Sequence, residues 1–312
     1  MRATIQSLKD QYAEGVLSKP DFIELALAMH RSLFDYVDIA RSTDVREIRI
    51  TAEGVCFRVG EEDVWLYAPP GEARVLPMEV MNFGRYEPEE TRIMDLLSDG
   101  ARTVLDIGSN IGWYAIRFAK RLPEASVHAF EPMPVSHAFL QRNIALNNVG
   151  DRVRCYNYGL SDKCGSFDFF MPPAGSVNAS LSNVSGARDA DVVVGLTLTL
   201  DQWCANHRLQ PDFMKCDVEG AELLVFQGAS QTLAQARPVV FTELLRKWAK
   251  PFGYHPNDVL GFFGQLGYVG YAIGSASVRR IEQVTDDTVE TGYAFLHRDA
   301  HGALIRRLEG LQ

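Results

Sequence analysis

Excess positive charge, paired cysteines and long apolar runs are all missing from this sequence of 312 residues. Lys and Arg number 31 against 40 Asp and Glu, a formal charge of −9, which argues against a surface built to coat phosphate backbones. Nucleic acid is therefore not an expected partner. The five cysteines, Cys56, Cys155, Cys164, Cys204 and Cys216, are odd in number and include no C-x-x-C pair, as reduced thiols in a cytoplasmic protein would be. No basic-then-apolar leader opens the chain, and no uncharged apolar run approaches the ~18 residues needed to span a bilayer. The N-x-S matches at Asn178 and Asn183 are then read as chance. No internal repeat is evident either.

What is present is enough apolar content, 46%, for a real core, arranged in two patterns. In residues 1–82 the stretch "SKPDFIELALAMHRSLFDYVDIA" spaces Phe22, Leu25, Ala26, Met29, Leu33, Tyr36 and Val37 as one helical stripe. Ser18 and Asp21 form its capping box, with Pro20 in the first turn. The stripe reads as a helix packed on its own domain, with an oligomer or partner face as the alternative. "EIRIT", "VCFRV" and "VWLYA" then alternate like a small antiparallel meander. Residues 83–312 instead alternate strands and helices, the pattern of a mostly parallel sheet covered on both faces. Strands are expected at "TVLDI", "SVHAF", "VRCYN", "FMKC" and "VVFT", with "GYVGYAI" and "GYAFLH" as an antiparallel edge pair. The Pro-, Gly- and Ser-rich run from Met171 to Asp191 is expected to be a loop closing over an acceptor.

The turn "DIGSNIG" lacks the middle glycine of G-x-G-x-x-G, which would make room for a pyrophosphate. A nicotinamide cofactor is thereby disfavoured. Asp106 adds a carboxylate that would repel a pyrophosphate but could face an ammonium group, and Glu131, ending the next strand, can accept hydrogen bonds from both hydroxyls of a ribose. A ribose with a cationic amino-acid end describes S-adenosylmethionine (SAM). Leu160 and Ser161, after the third strand, are placed near the adenine, with "GLSDKCG" as an ordinary turn the alternative. Asp217 and Glu243 end two further strands over the crevice, while Glu222 reads as a helix-start acid.

These motifs resemble the FkbM family of SAM-dependent methyltransferases. The resemblance rests on "YEPEE", "VLDIGSNIGWY", "AFEPMP", "NIALNN", "GLSD", "TLTLDQW", "KCDVEGAE" and "RPVVFTE", and covers roughly residues 83 to 245. It implies a Rossmann-like α/β fold, a seven-stranded methyltransferase sheet with helices on both faces. It implies O-methylation of a secondary metabolite or sugar, with S-adenosylhomocysteine as the spent cofactor. It carries the SAM site onto Asp106, Gly108, Ser109, Asn110, Gly112 and Glu131, with Pro132 beside them and Glu87 at the methionine end. Two departures are small: Ser109 follows the first glycine, and "KCD" stands where "KID" is common. The N-terminal part also resembles proteins of bacterial surface-polysaccharide assembly, which favours a sugar acceptor.

An alcohol acceptor must lose its proton as the new C–O bond forms, so a base or a metal is needed near the crevice. Asp217, Glu243 and His255 are the candidates by position. His255, in "GYHPND", could titrate near neutrality, or could be a loop histidine beside a Pro turn. Asp217 and Glu243, with Glu219, could hold Mg²⁺, but carboxylates alone do not make a site, so a divalent metal is not favoured. Besides an O-methyltransferase, two classes stay open: a non-catalytic SAM-binding module docked to a biosynthetic assembly, and a nicotinamide-dependent oxidoreductase.

Overall fold

The computed structural model describes residues 4–171, 191–274 and 277–310. The chain opens with helices α1 (Ile5–Ala13) and α2 (Lys19–Ser42). Ser18 caps α2 as expected, its hydroxyl accepting from the Asp21 N–H at 3.3 Å. The helix packs on its own domain only in part, against α1 and the strand Val45–Thr51: Phe22 stacks on Tyr12, and Ala26 alone of its residues is fully buried. β1 (Val45–Thr51), β2 (Gly54–Val59) and β3 (Val64–Tyr67) then form the antiparallel meander that their alternation predicts. Val45, Phe57, Val64 and Leu66 share one apolar cluster with Val104, Phe118 and Val127, so the meander and the main sheet bury a common core.

Helices α3 (Leu76–Phe83) and α4 (Pro88–Leu97) lead into the larger sheet. Its first units are β4 (Thr103–Ile107), α5 (Trp113–Arg121), β5 (Ser126–Phe130), α6 (Pro134–Leu146) and β6 (Val153–Tyr156). After β7 (Gly159–Leu160), β8 (Gly165–Met171) and β9 (Asp191–Leu198) come β10 (Phe213–Cys216), β11 (Val239–Glu243), β12 (Tyr268–Ile273), β13 (Val278–Ile281) and β14 (Gly292–His297). The large sheet has eight strands in the order β13-β12-β14-β11-β10-β4-β5-β6. The run from β11 to β6 is parallel, and most of its residues are buried because helices cover both faces. This is a Rossmann-like fold. Chain order reverses between β4 and β10, which opens the crevice at their carboxyl ends where such folds bind ligands.

The family motif "NIALNN" explains how the meander is held. Asn143 accepts from the Tyr67 N–H at 2.7 Å and donates to the Tyr67 carbonyl at 3.1 Å; Asn147 makes the same pair with Trp65 at 2.9 and 2.6 Å. Four residues of helix rise about 6 Å and two residues of strand about 6.6 Å, so asparagines at i and i+4 match alternate residues of β3. The β3 edge of the meander is thereby covered.

Two expectations need correction. β12 and β14 do pair antiparallel, but β14 lies between β11 and β12, and the sheet edge is β13. Its sequence "VRRI" has two exposed arginines and only its end residues buried, the kind of short charged strand that protects an edge. A third sheet, β7-β9-β8, also stands on either side of the expected loop, where no strands were expected. The interior of the expected acceptor loop, 172–190, lies outside the described residues; its ends, Met171 and Asp191, are paired as the last rung of β8 and β9.

Candidate functional site

The crevice between β4 and β10 holds a cleft of about 1070 Å³, counting its open mouth. Backbone geometry fixes its floor. Gly108 has φ +81°, and a Cβ there would lie 1.8 Å from the Asp217 carbonyl oxygen, so glycine is required. Glu131 ties down the following turn, accepting from the Asn110 N–H at 2.8 Å and the Met133 N–H at 2.9 Å. Burial pushes its pKa up to about 7 against the pull of those two bonds. Phe130, Pro132, Met133, Leu160 and Phe169 make the apolar wall.

Opposite stands a buried cation that the sequence reading passed over. Lys215 is in register with Asp106 on the neighbouring parallel strand, so both side chains leave the sheet on one face. Its Nζ lies 3.7 Å from Asp106 Oδ1 and 3.4 Å from Asp217 Oδ2, above the Tyr114 ring. Burial works against its charge, yet the carboxylates of Asp217, Asp106 and Glu87 hold its pKa above the ordinary lysine value. Apart from this ion pair, the buried Asp106 carboxylate is approached by the Ser109 hydroxyl and the Ala115 N–H but makes no close hydrogen bond, and Asn110 Oδ1 has no donor among the described residues. Both residues line the cleft. Such groups are costly unless something meets them.

A second set of acids adjoins the first. Glu219 lines the cleft with left-handed backbone, φ 55°, a conformation costing of order 1–3 kcal/mol that tends to mark functional sites. Burial, then Asp217, Glu243 and Glu222, push its carboxyl up to about 10, so it is protonated at neutral pH. The Glu243 carboxyl is pushed up to about 8 by burial, then by Asp217 and Glu87. Asp217, the residue after β10, and Glu243, the last residue of β11, are near enough that the charge of Asp217 acts on Glu243. Glu222 is spent on structure, accepting from Val218 N–H, Gly220 N–H and the Tyr254 hydroxyl. Among the described residues, no group of three or more His, Cys, Asp and Glu is arranged to hold a metal ion.

Of the residues expected at the site, Asp106, Gly108, Ser109, Asn110, Glu131, Pro132, Leu160 and Asp217 line this cleft. The others have different places. Gly112 caps α5, and a Cβ there would lie 2.6 Å from Leu140, so its glycine serves helix packing. Ser161 is buried behind Leu160 and donates to Asp162 at 3.1 Å. Glu87 is set back from the cleft, accepting from the Tyr114 hydroxyl at 2.6 Å, with its pKa raised by burial. His255 is the N-cap of the helix Pro256–Gln265, its Nδ1 accepting from the Asn257 N–H at 3.2 Å. Asp258 returns a bond to the His255 N–H at 2.7 Å, completing a capping box. His255→Ala is accordingly expected to cost about 1 kcal/mol of stability in thermal melts and leave turnover unchanged. A collapse of turnover in a folded variant would return His255 to the chemistry.

The family model described as the methyltransferase FkbM domain matches residues 106–269, more than half the chain. The 2-O-methyltransferase NoeI of Sinorhizobium fredii is 32% identical over 168 residues, 49% of this chain and 67% of the relative. The hexuronic acid methyltransferase AglP of Haloferax volcanii is 29% identical over 136 residues, 43% of this chain and 53% of that protein. Among solved structures, a methyltransferase FkbM from Methylobacillus flagellatus aligns with a TM-score of 0.40 at 17% identity, covering 62% of this chain and 43% of that one. No helix among the described residues is long and apolar enough to cross a membrane. The chain belongs to the FkbM family of methyltransferases.

Proposed function

We propose that the cleft binds SAM and that the protein methylates a hydroxyl of a sugar or a related small molecule. The observation that carries this reading is the buried ion pair of Lys215 and Asp106 in the lining of the cleft, its carboxylate met by no close hydrogen bond. An ammonium with unused donors beside a carboxylate with unused acceptors complements an amino-acid zwitterion. Glu131, at the opposite side of the "DIGSNIG" turn, keeps lone pairs beyond its two backbone bonds, enough to accept from a ribose diol. The apolar wall from Phe130 to Phe169 suits a purine.

SAM supplies a methyl group already made electrophilic by its sulfonium. The chain's part is to hold the two reactants in line, exclude water and take one proton. We assign the proton to the Asp217 and Glu243 pair, of which Asp217 lines the cleft. A dinucleotide is a poor fit, because Asn110 occupies the place of the middle glycine and the Asp106 carboxylate faces where a pyrophosphate would come. One relative is named a 2-O-methyltransferase and the other a hexuronic acid methyltransferase, and the two names together favour an oxygen acceptor on a sugar.

Transfer of a labelled methyl group from SAM to saccharide extracts, located by mass spectrometry, tests the reaction. Label found on nitrogen or on a carboxyl group would contradict hydroxyl methylation. Glu131→Ala is expected to weaken cofactor binding by roughly 1.5–3 kcal/mol, since two hydrogen bonds to a charged acceptor are lost. Unchanged affinity in that variant would remove Glu131 from the ribose site.

A further inference from the structure

α2 carries more apolar surface than its own chain covers. The helix has 24 residues and is thus about 36 Å long, and every residue from 30 to 38 is exposed. Phe22 and Ala26 turn inward, where Tyr12 of α1 stacks on Phe22 at 5.0 Å. A neighbouring stripe has no such cover: Ile23, Leu27, Phe34 and Val37 are 54%, 60%, 71% and 47% exposed. With His30 between Leu27 and Phe34, they follow the four-three spacing of a two-helix seam. A contiguous apolar stripe of this kind marks an interaction surface.

We propose that a second copy of this chain covers this stripe, α2 pairing antiparallel with α2 about a two-fold axis near Ala28. Charge complementarity decides the occupant. Glu24 and Arg31 flank the seam on one side, seven residues apart. Antiparallel pairing sets Glu24 beside Arg31 of the second copy, and the two-fold axis repeats the contact. It also seats Phe34 against Ile23 of the second copy and His30 against Leu27 of the second copy. A parallel pair would instead stack His30 on His30 and leave Arg31 facing Ala26. A lipid surface is the poorer occupant, because Asp21, Glu24, Asp35 and Asp38 outnumber Lys19, Arg31 and Arg41 along the helix.

Light scattering and sedimentation of the intact chain test this. A dimer is expected, with Phe34→Glu and Leu27→Glu monomeric but still cooperatively folded, since neither side chain is needed inside the fold. Glu24→Arg and Arg31→Glu should each weaken dimerisation by about tenfold or more through facing like charges, and the double exchange should restore it. A wild-type monomer would overturn the proposal, as would dimers that persist in both glutamate variants. Failure of the double exchange to restore pairing would overturn the antiparallel arrangement. Flotation of a monomer with phosphatidylcholine–phosphatidylglycerol vesicles would give the face to lipid instead.

Discussion

Lys215→Met is expected to destabilise the chain by about 3–5 kcal/mol, because it leaves the Asp106 carboxylate buried without its counter-ion. Denaturant titration measures it. The deficit should shrink as pH falls: the pKa of Asp106 is already raised by burial, and without Lys215 it takes up a proton more readily still. A double variant, Asp106→Leu with Lys215→Met, should regain most of the stability, since apolar residues of similar size often replace a buried ion pair at little cost. It should not regain cofactor binding. That divergence separates the role of the pair in the fold from its role at the site. Wild-type stability in Lys215→Met would show that Asp106 does not depend on the lysine, and would weaken the zwitterion reading with it.

The second large effect concerns the proton. Asp217→Asn removes charge but keeps size, so turnover should fall by about 10²–10⁴-fold while cofactor affinity changes little. With its carboxyl pushed up to about 8 by burial, Glu243 gains its base form as pH rises through that region. Turnover of the wild type should therefore climb between neutral pH and about 8, and Glu243→Gln should flatten the climb. Activity should survive EDTA. If chelation abolishes turnover and Mg²⁺ restores it, the base assignment fails. Full activity in Asp217→Asn would leave that residue with a structural place only.

Much of the sheet was legible because its central strands are short, mostly apolar runs that end at a glycine or an acid, as in "TVLDI" and "VVFTE". The meander was legible through its strict alternation. β13 was not, since two arginines interrupt its apolar pattern, and β8 and β9 were obscured by the polar run between them. At the site, glycines and carboxylates at strand ends could be read directly. Lys215 could not, because a lysine in an apolar strand gains meaning only from the neighbouring strand that brings Asp106 into register. The signal was there in another form: a charge inside "FMKC" demands a buried partner. His255 carried the opposite lesson, since "HPND" has the proline and the acid of a helix start, which outweighs its closeness in sequence to the site. For α2 one apolar stripe was plain, but the uncovered one beside it, with Ile23, Leu27 and Phe34, was not singled out, because lack of cover is a tertiary fact.

The central claim is the cofactor, and a calorimetric titration with S-adenosylhomocysteine and, separately, NAD tests it most directly. Saturable heat with S-adenosylhomocysteine, weakened in Glu131→Ala, and none with NAD is the predicted result. Tight binding of NAD with no heat from S-adenosylhomocysteine would contradict it.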